Sequence, residues 1–246
     1  MTVKTSKTTD ASLRCPGCGA RIEESADFDG MCEMCHCKLR TEIEYANDLS
    51  GVKLLRDGVR MMLDGLHKLY GIDPDDANFK DTPERVARLM MEMNYGTNEQ
   101  AAKDILTSSA FPSSYTGLIA SDNIRCYALC PHHMVVVQLD VNIAYVPGPR
   151  MVGLSKIARF AETLAASMIL QEEYTHRLAS LFKECTDALG VGVIVVGKHN
   201  CVAARGVKKP DVDNITSELN GIFMMNSSLK QEWMDLVKMT KMLRAN

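Results

Sequence analysis

The chain has 246 residues, of which 46% are hydrophobic, and its formal net charge is −3. This length allows one large domain or two small ones, and the small charge excludes a strong general attraction to nucleic acid. No apolar run approaches the roughly 20 residues of a membrane-spanning helix, and residues 1–14 lack the apolar core of a signal peptide. The sequence therefore predicts a cytoplasmic protein whose nine cysteines serve as metal ligands and free thiols rather than in disulfides.

Two C-x-x-C pairs follow a polar tail at residues 1–12, which we expect to be flexible. The pairs are Cys15 with Cys18 and Cys32 with Cys35. Each pair can form a turn whose backbone N–H groups point at the thiolates, and two such turns complete a closed tetrahedral zinc site. A redox dithiol would need a βαβ context, which is absent here. His36 and Cys37 leave the fourth ligand open, although the symmetry of the pairs favours Cys35. We predict a structural, non-catalytic zinc ribbon over residues 13–42.

The next segment, residues 43–120, is predicted to be largely helical. Apolar residues recur at helical spacing over residues 52–69. A second helix is predicted to open at Asp81-Thr82-Pro83-Glu84, with Asp or Thr as the N-cap and Pro in the first turn. Residues 94–120 are rich in Ser, Thr and Gly and predict a loop-rich connection.

From residue 121 to residue 246 the pattern changes to strands and helices in the order ββααββ. The predicted elements are strands at residues 124–129 and 135–145, a helix that starts at Ser155, a helix from about Gln171 to Leu189, strands at 191–196 and 215–224, and a terminal helix. This order indicates an α+β domain with an antiparallel sheet. In the terminal helix, Trp233 is predicted to be a packing anchor.

A second group of metal-ligating residues lies inside this domain. Cys130 and His133 have C-x-x-H spacing, so a tight turn can bring both to one ion, and Cys201 would be the third ligand from another strand. A catalytic zinc takes three protein ligands and leaves the fourth position for water. The alternatives are a buried cysteine that acts as a small hydrophobe and histidines that are merely polar loop residues.

Five motifs in this order resemble type I GTP cyclohydrolases, and the resemblance spans about residues 52–240. The motifs are Thr82-Pro83-Glu84-Arg85-Val86-Ala87, Cys130-Pro131-His132-His133, Gly153-Leu154-Ser155-Lys156-Ile157-Ala158-Arg159, Gln171-Glu172 and His199-Asn200-Cys201-Val202-Ala203-Ala204-Arg205-Gly206. The resemblance implies the tunnelling fold, in which pentameric barrels stack into a homodecamer. It also implies zinc-dependent conversion of GTP to 7,8-dihydroneopterin triphosphate with release of formate.

The resemblance also implies roles for single residues. The zinc ligands would be Cys130, His133 and Cys201, and His132 and His199 would transfer protons. Guanine would be recognised by Glu172, with Gln171 beside it. The phosphates would be bound by Lys156, Arg159 and Arg205, with Arg85 and Arg88 completing that pocket and Ser155 bonding to ribose or phosphate. His199 and Cys201, two residues apart, are expected to lie on one face of a strand. Ser155 has the alternative of capping its helix.

The chain departs from the family pattern at three places. Pro131 replaces the acidic residue that usually stands between the cysteine and the first histidine. Residues 208–214 replace a Thr/Ser-rich segment, of which Thr216 and Ser217 remain. The zinc ribbon has no counterpart in the family, so its partner is unknown.

Two other functions stay open. A 7-deazaguanine reductase of the same fold would need a nucleophilic cysteine and no catalytic zinc. A zinc-ribbon regulator or adaptor would carry a degenerate barrel.

The two proposed zinc sites can be counted. We expect two zinc ions per chain, one closed by four thiolates and one open. Changing Cys15 and Cys18 together to Ser should remove one zinc and keep the other, as measured by metal analysis after gentle purification. Wild-type protein that contains a single zinc would exclude one of the two sites.

Overall fold

The computed structural model describes residues 49–108 and 110–245, so the predicted zinc ribbon lies outside the described residues. The chain divides into two compact units, the first ending at Pro83 and the second beginning at Glu84. In the first unit, helix α1 (Leu49–Tyr70) ends where the Gly71 N–H donates to the carbonyl of His67 at 2.8 Å. Gly71 has a φ of 71°, the left-handed conformation that commonly ends a helix. No helix in the described ranges is long and apolar enough to cross a membrane.

The remaining elements confirm the predicted ββααββ order and add short elements to it. They are α2 (Thr82–Glu92), a 3-10 turn (Tyr95–Thr97), α3 (Glu99–Thr107), β1 (Ala110–Pro112), β2 (Ile119–Leu129), β3 (Val136–Val146), β4 (Arg150–Val152), α4 (Leu154–Ala165), α5 (Gln171–Thr186), β5 (Gly190–His199), α6 (Asn200–Ala203), β6 (Asn214–Gly221), α7 (Ile222–Met225) and α8 (Ser227–Ala245). The predicted domain boundaries at residues 42 and 120 stay predictions.

The central sheet is antiparallel throughout, with the strand order β2-β3-β5-β6. It confirms the predicted α+β class. Helices α4 and α5 cover one face, because Ile157, Phe160 and Leu164 of α4 and Leu178 and Phe182 of α5 are all fully buried there. These side chains pack on alternate residues of β3, as the period-2 pattern of that strand predicts.

Helix α3 lies where a loop-rich connection was predicted. It begins at Glu99, after Asn98, whose side-chain oxygen accepts a hydrogen bond from the Gln100 N–H at 3.0 Å. This is an N-cap contact, and the helix then buries Ala102, Ile105 and Leu106 at helical spacing in the main core. The helix is only nine residues long, so its apolar period is too short to stand out among the Ser, Thr and Gly residues around it.

The other face of the sheet is covered by the C-terminal part of the chain. Trp233 of α8 is 1% exposed and packs edge-to-face on Phe223, with ring centroids 5.7 Å apart. Ala144, Val146 and Val237 complete this second core. Gly192 of β5 leaves room for the indole, since a Cβ added there would lie 2.6 Å from the nearest Trp233 ring atom. The predicted role of Trp233 as a packing anchor is therefore confirmed.

The contact between Gly192 and Trp233 can be tested by adding one methyl group. Gly192→Ala should lower the free energy of unfolding by about 1–3 kcal/mol, because the methyl group overpacks a filled core. The measurement is denaturant unfolding or the thermal midpoint. Gly58→Ala is the control, because nothing lies within 4 Å of a Cβ at that helical position and Ala favours helix over Gly. Equal midpoints for Gly192→Ala and wild type would contradict the packing described here.

Candidate metal centre and adjoining cavity

A tight turn between β2 and β3 carries the first half of the metal group. The Cys130 N–H donates to the Val135 carbonyl at 2.9 Å, and the Met134 N–H donates back to the Cys130 carbonyl at 2.8 Å. Met134 has a φ of 55°, so the turn forces a non-glycine residue into the left-handed region. Pro131 fits inside the turn because its ring holds φ near −65°. As a result, His133 Nδ1 lies 3.7 Å from Cys130 Sγ.

The second half comes from the end of β5. The strand ends at His199, which is paired with Val137 of β3, and the short helix α6 begins at once. The side-chain amide of Asn200 donates to the Val136 carbonyl at 2.8 Å, which fixes the start of α6 against the start of β3. The prediction that His199 and Cys201 share a strand face is wrong, because the chain is already helical at Cys201 and the alternation of strand side chains stops there.

These two segments bring three potential ligands together. The ligand atoms of Cys130, His133 and Cys201 all lie within 4.8 Å of one another, and no other such group of three occurs in the described ranges. A tetrahedral zinc site with bonds of about 2.0–2.3 Å has its ligand atoms about 3.5 Å apart. Two thiols and one imidazole at these distances therefore fit zinc with one open coordination position.

The surroundings of Cys201 favour its neutral thiol when no cation is bound. Burial, and after it the neighbouring Cys130 thiol, raise the pKa of the Cys201 thiol, whereas Arg205 acts in the opposite direction. A thiolate is the form that binds metal. A divalent cation at this position would stabilise the Cys201 thiolate and so oppose the effect of burial.

His132 lies beside this group but outside it. Its Nδ1 is 4.0 Å from Cys130 Sγ, and its ring centroid is 6.2 Å from that of His133 at an interplanar angle of 66°. The two adjacent rings therefore point in different directions. His132 is exposed and can contact a molecule that approaches the three ligands.

A cavity of about 380 Å³ opens next to α6. Its lining residues are Gln171, Glu172, His199, Val202, Asp213, Asn214, Ile215 and Thr216. The volume lies within the usual range for small-molecule sites. His199 and Val202 lie two residues before and one residue after Cys201 in the sequence, so the cavity adjoins the segment that carries this ligand.

His199 is half-buried in this cavity. Burial lowers the pKa of its imidazole, and the nearby Glu172 carboxylate opposes that effect only in part. The neutral ring is therefore favoured at neutral pH, and a neutral imidazole has one nitrogen that donates and one that accepts. The Nε2 atom of His199 lies 2.8 Å from Oε1 of Gln171, which is itself 4% exposed.

The predicted phosphate-binding cations and Ser155 belong to the second unit, but none of them lines the cavity. Ser155, Lys156 and Arg159 lie in the first two turns of α4, Arg205 follows α6, and Arg85 and Arg88 lie on α2. Arg85, Arg88 and Arg205 are exposed, whereas Lys156 and Arg159 are partly buried. Within one chain, the three metal ligands lie together, and His199, Gln171 and Glu172 line the cavity. Of the predicted cations, Arg205 lies close enough to Cys201 to act on the pKa of its thiol, but none of them lines the cavity.

Sequence reasoning missed several residues of the cavity wall. Asp213, Asn214 and Thr216 belong to the end of the altered 208–217 segment and the start of β6. A sequence signal existed at Thr216, which stands in the remnant of the Thr/Ser-rich segment. Asp213 gave no signal, because only the pairing of β6 with β5 brings it to the cavity.

Comparisons with known proteins agree on one family. Residues 58–238 match the family model described as GTP cyclohydrolase I. A GTP cyclohydrolase 1 of Campylobacter jejuni subsp. doylei is 35% identical over 192 residues, which cover 78% of this chain and 98% of that protein. GTP cyclohydrolases 1 of Clostridium perfringens and Chromohalobacter salexigens are each 34% identical over 97% of their length, covering 75% and 74% of this chain. Among solved structures, the archaeosine synthase QueF-Like has a TM-score of 0.37 and 18% identity, over 44% of this chain and 97% of that chain, and this likeness decides neither fold nor activity.

The assignment of Cys130 and His133 as metal ligands and of His132 as a non-ligand can be tested by measuring the zinc content of variants. Cys130→Ser and Cys201→Ser should each lose the metal of this site, because each removes one of three protein ligands. His132→Ala is the matched control from the same turn and should keep the metal. The measurement is zinc per chain after gentle purification. Loss of zinc from His132→Ala would show that the two histidines have been assigned the wrong way round.

Proposed function

The chain belongs to the GTP cyclohydrolase I family and is a hydrolase of that family, and we propose that its reaction takes place where the Cys130–His133–Cys201 group meets the cavity. The substrate is GTP, whose guanine imidazole ring is opened by hydrolysis to give 7,8-dihydroneopterin triphosphate and formate. The observation that carries this proposal is that three zinc-type ligands lie within 4.8 Å of one another, and that the segment of one of them, Cys201, adjoins a cavity lined by His199 and Glu172.

The metal group supplies the nucleophile in this proposal. Cys130, His133 and Cys201 would hold a zinc ion, which when bound at an open site supplies a nucleophile at neutral pH. Cys130 is 5% exposed, so it anchors the group in the protein interior. His133 and Cys201 are more exposed and face the side from which the substrate enters.

Two histidines would move protons. Attack at C8 of the purine puts charge on the ring nitrogens, so a proton donor is needed near N7. His132 suits this role, because it is accessible, it lies beside the metal ligands, and an imidazole has the intrinsic pKa for it. Removal of such a general acid typically costs about 10² or more in rate. His199 would transfer a second proton, in ring opening or in the later rearrangement of the ribose.

Glu172 would select guanine. Guanine presents an N1–H and a 2-amino group side by side, and one carboxylate can accept both hydrogen bonds. Glu172 lines the cavity at the start of α5. Adenine presents an unprotonated N1 and no 2-amino group, so the carboxylate would face a lone pair and remain unpaired.

The triphosphate needs cations that the cavity of a single chain does not contain. Lys156, Arg159 and Arg205 would bind it, with Arg85 and Arg88 completing the pocket and Ser155 bonding to ribose or phosphate. The sheet leaves β2 and β6 as edge strands among the described elements, and unpaired edges are sites for pairing with another chain. This supports the tunnelling-fold assembly, a barrel of five chains and a decamer of two barrels, in which a neighbouring chain supplies the missing cations.

Guanine selection gives the test of the whole proposal. We expect purified protein to turn over GTP, followed by pteridine fluorescence and formate, with negligible turnover of ATP. Sites built on such hydrogen bonds reject the wrong partner by roughly 10⁴ or more, because their polar groups stay unpaired. Glu172→Gln should weaken GTP binding without loss of zinc.

Glu173→Gln is the matched control for this experiment. Glu173 is the next residue of the same helical turn, is also exposed and does not line the cavity, so the change should leave GTP affinity unaltered. Equal binding of GTP and ATP by the wild type, or unchanged GTP affinity in Glu172→Gln, would remove guanine recognition and with it the substrate assignment.

A further inference from the structure

The side chain of Gln171 is buried where α5 meets β5 and β6, and all its polar atoms have partners. Its amide nitrogen lies 3.1 Å from the Val195 carbonyl, 2.9 Å from the Asn214 carbonyl and 3.1 Å from Thr216 Oγ1. Its amide oxygen lies 2.8 Å from His199 Nε2. The side chain therefore joins two neighbouring strands to the one histidine of the cavity.

These contacts leave only one orientation for the amide. Two of the three partners on the nitrogen side are carbonyl oxygens, which only accept hydrogen bonds. A flipped amide would place its own oxygen against these two carbonyl oxygens, where neither partner can donate a hydrogen bond and the negative ends of the dipoles would face each other. The amide NH₂ must therefore face Val195 and Asn214, and the oxygen must face His199.

The hydroxyl groups of Thr175 and Thr216 support the same orientation of the Gln171 amide. Thr175 Oγ1 donates to the backbone carbonyl of Gln171 at 2.7 Å. Its proton is then committed, so Thr216 must donate in the 2.6 Å contact between the two hydroxyls. The lone pair of Thr216 Oγ1 is thereby left to accept from the Gln171 amide. The directions of these hydrogen bonds all agree with an amide NH₂ group that faces Val195, Asn214 and Thr216.

The backbone of β5 leaves space for the Gln171 side chain. A Cβ added at Gly197 would collide with Gln171 Oε1 and would lie 3.0 Å from His199 Nε2. Gly197 lies in a strand and is buried, and a glycine inside a strand often marks the close approach of another group. Here the groups that approach Gly197 are the Gln171 amide and the His199 ring, which a hydrogen bond joins.

We infer that Gln171 is a positioning residue that holds the His199 ring in one orientation and in the Nε2–H tautomer, with Nδ1 as the ring nitrogen that carries the lone pair. An amide oxygen can only accept, and therefore Nε2 of His199 must donate to it. Gln171 thus acts on the proposed reaction through its bond to His199, and this is its role in the cavity that both residues line.

The inference rests on the proposed function only where it assigns proton transfer to His199, and its test begins with a measurement that needs no activity. Long-range ¹H–¹⁵N spectra of zinc-loaded protein with ¹⁵N-labelled histidine distinguish protonated from unprotonated ring nitrogens. At about pH 8, above the ordinary histidine pKa of about 6.5, the spectrum of neutral His199 should show protonated Nε2 and unprotonated Nδ1. Comparison with His199→Asn assigns the signals.

Two variants disturb the Gln171–His199 bond in different ways. Gln171→Met keeps the length of the side chain and removes both hydrogen-bonding groups, whereas Gly197→Ala displaces the amide by adding one methyl group. Both should give a mixture of His199 tautomers and lower kcat about 10- to 100-fold, as is typical when the partner that orients a functional histidine is lost. KM for GTP and zinc content should stay unchanged.

Thr175→Val is the matched control, because it removes the two hydroxyl contacts of Thr175 but leaves the Val195 and Asn214 carbonyls, which set the amide orientation, and the bond to His199. It should lower the thermal midpoint while keeping the tautomer and kcat. Wild-type His199 protonated at Nδ1 would overturn the inference, even if neither variant folds. A Gln171→Met variant with a raised KM and an unchanged kcat would also overturn it, because that result marks a substrate contact. An equal loss of kcat in Thr175→Val would overturn it as well, because that result marks a structural effect.

The failure of the proposed function would look different. Wild-type protein that shows the Nε2–H tautomer but no turnover of GTP would refute the proposed function and leave the tautomer assignment intact.

Discussion

The antiparallel pairing of β3 with β5 is the constraint on which the site depends. It runs from Val137 opposite His199 to Val146 opposite Gly190, and it brings the turn after β2 to the same end of the sheet as α6. Potential ligands about seventy positions apart, Cys130 and Cys201, thus lie within 4.8 Å of one another. Because strand side chains alternate between faces, a slip of one residue would turn His199 away from the cavity and move Cys201 from Cys130. The apolar burial of β3 on the helical layer fixes this register.

The sequence predicted those parts of the fold that repeat with a clear period. The long β3 strand, helices α4 and α5 and the C-x-x-H turn follow from local patterns, and the structure contains all of them. Where a pattern is short or changes abruptly, local reasoning failed. The nine residues of α3 carry no pattern that distinguishes a helix from a loop. The change from strand to helix between His199 and Cys201 has no local signal, because no residue there is a strong helix breaker or former.

The polar network around Gln171 could not be derived from the sequence for a different reason. Its partners are Val195, Asn214, Thr216 and His199, which come from two strands and lie 24 to 45 residues after Gln171 in the sequence. Nothing near Gln171 in the sequence indicates that its amide points inward. In a low-dielectric interior such a network stabilises one arrangement strongly when every group is paired, and it is costly when one group is not. The helix and the two strands must therefore meet in a single arrangement for the cavity to exist.

The packing of Trp233 has a spectroscopic consequence. It is the only tryptophan of the chain, and it is buried between α8 and the face of the sheet opposite to helices α4 and α5. Its indole emission therefore reports on one event, the docking of the C-terminal helix on the sheet. Loss of the metal or of a ligand in the cavity can be followed separately, because neither site touches the indole. The chain thus carries an intrinsic fluorophore that separates the integrity of its scaffold from the occupancy of its site.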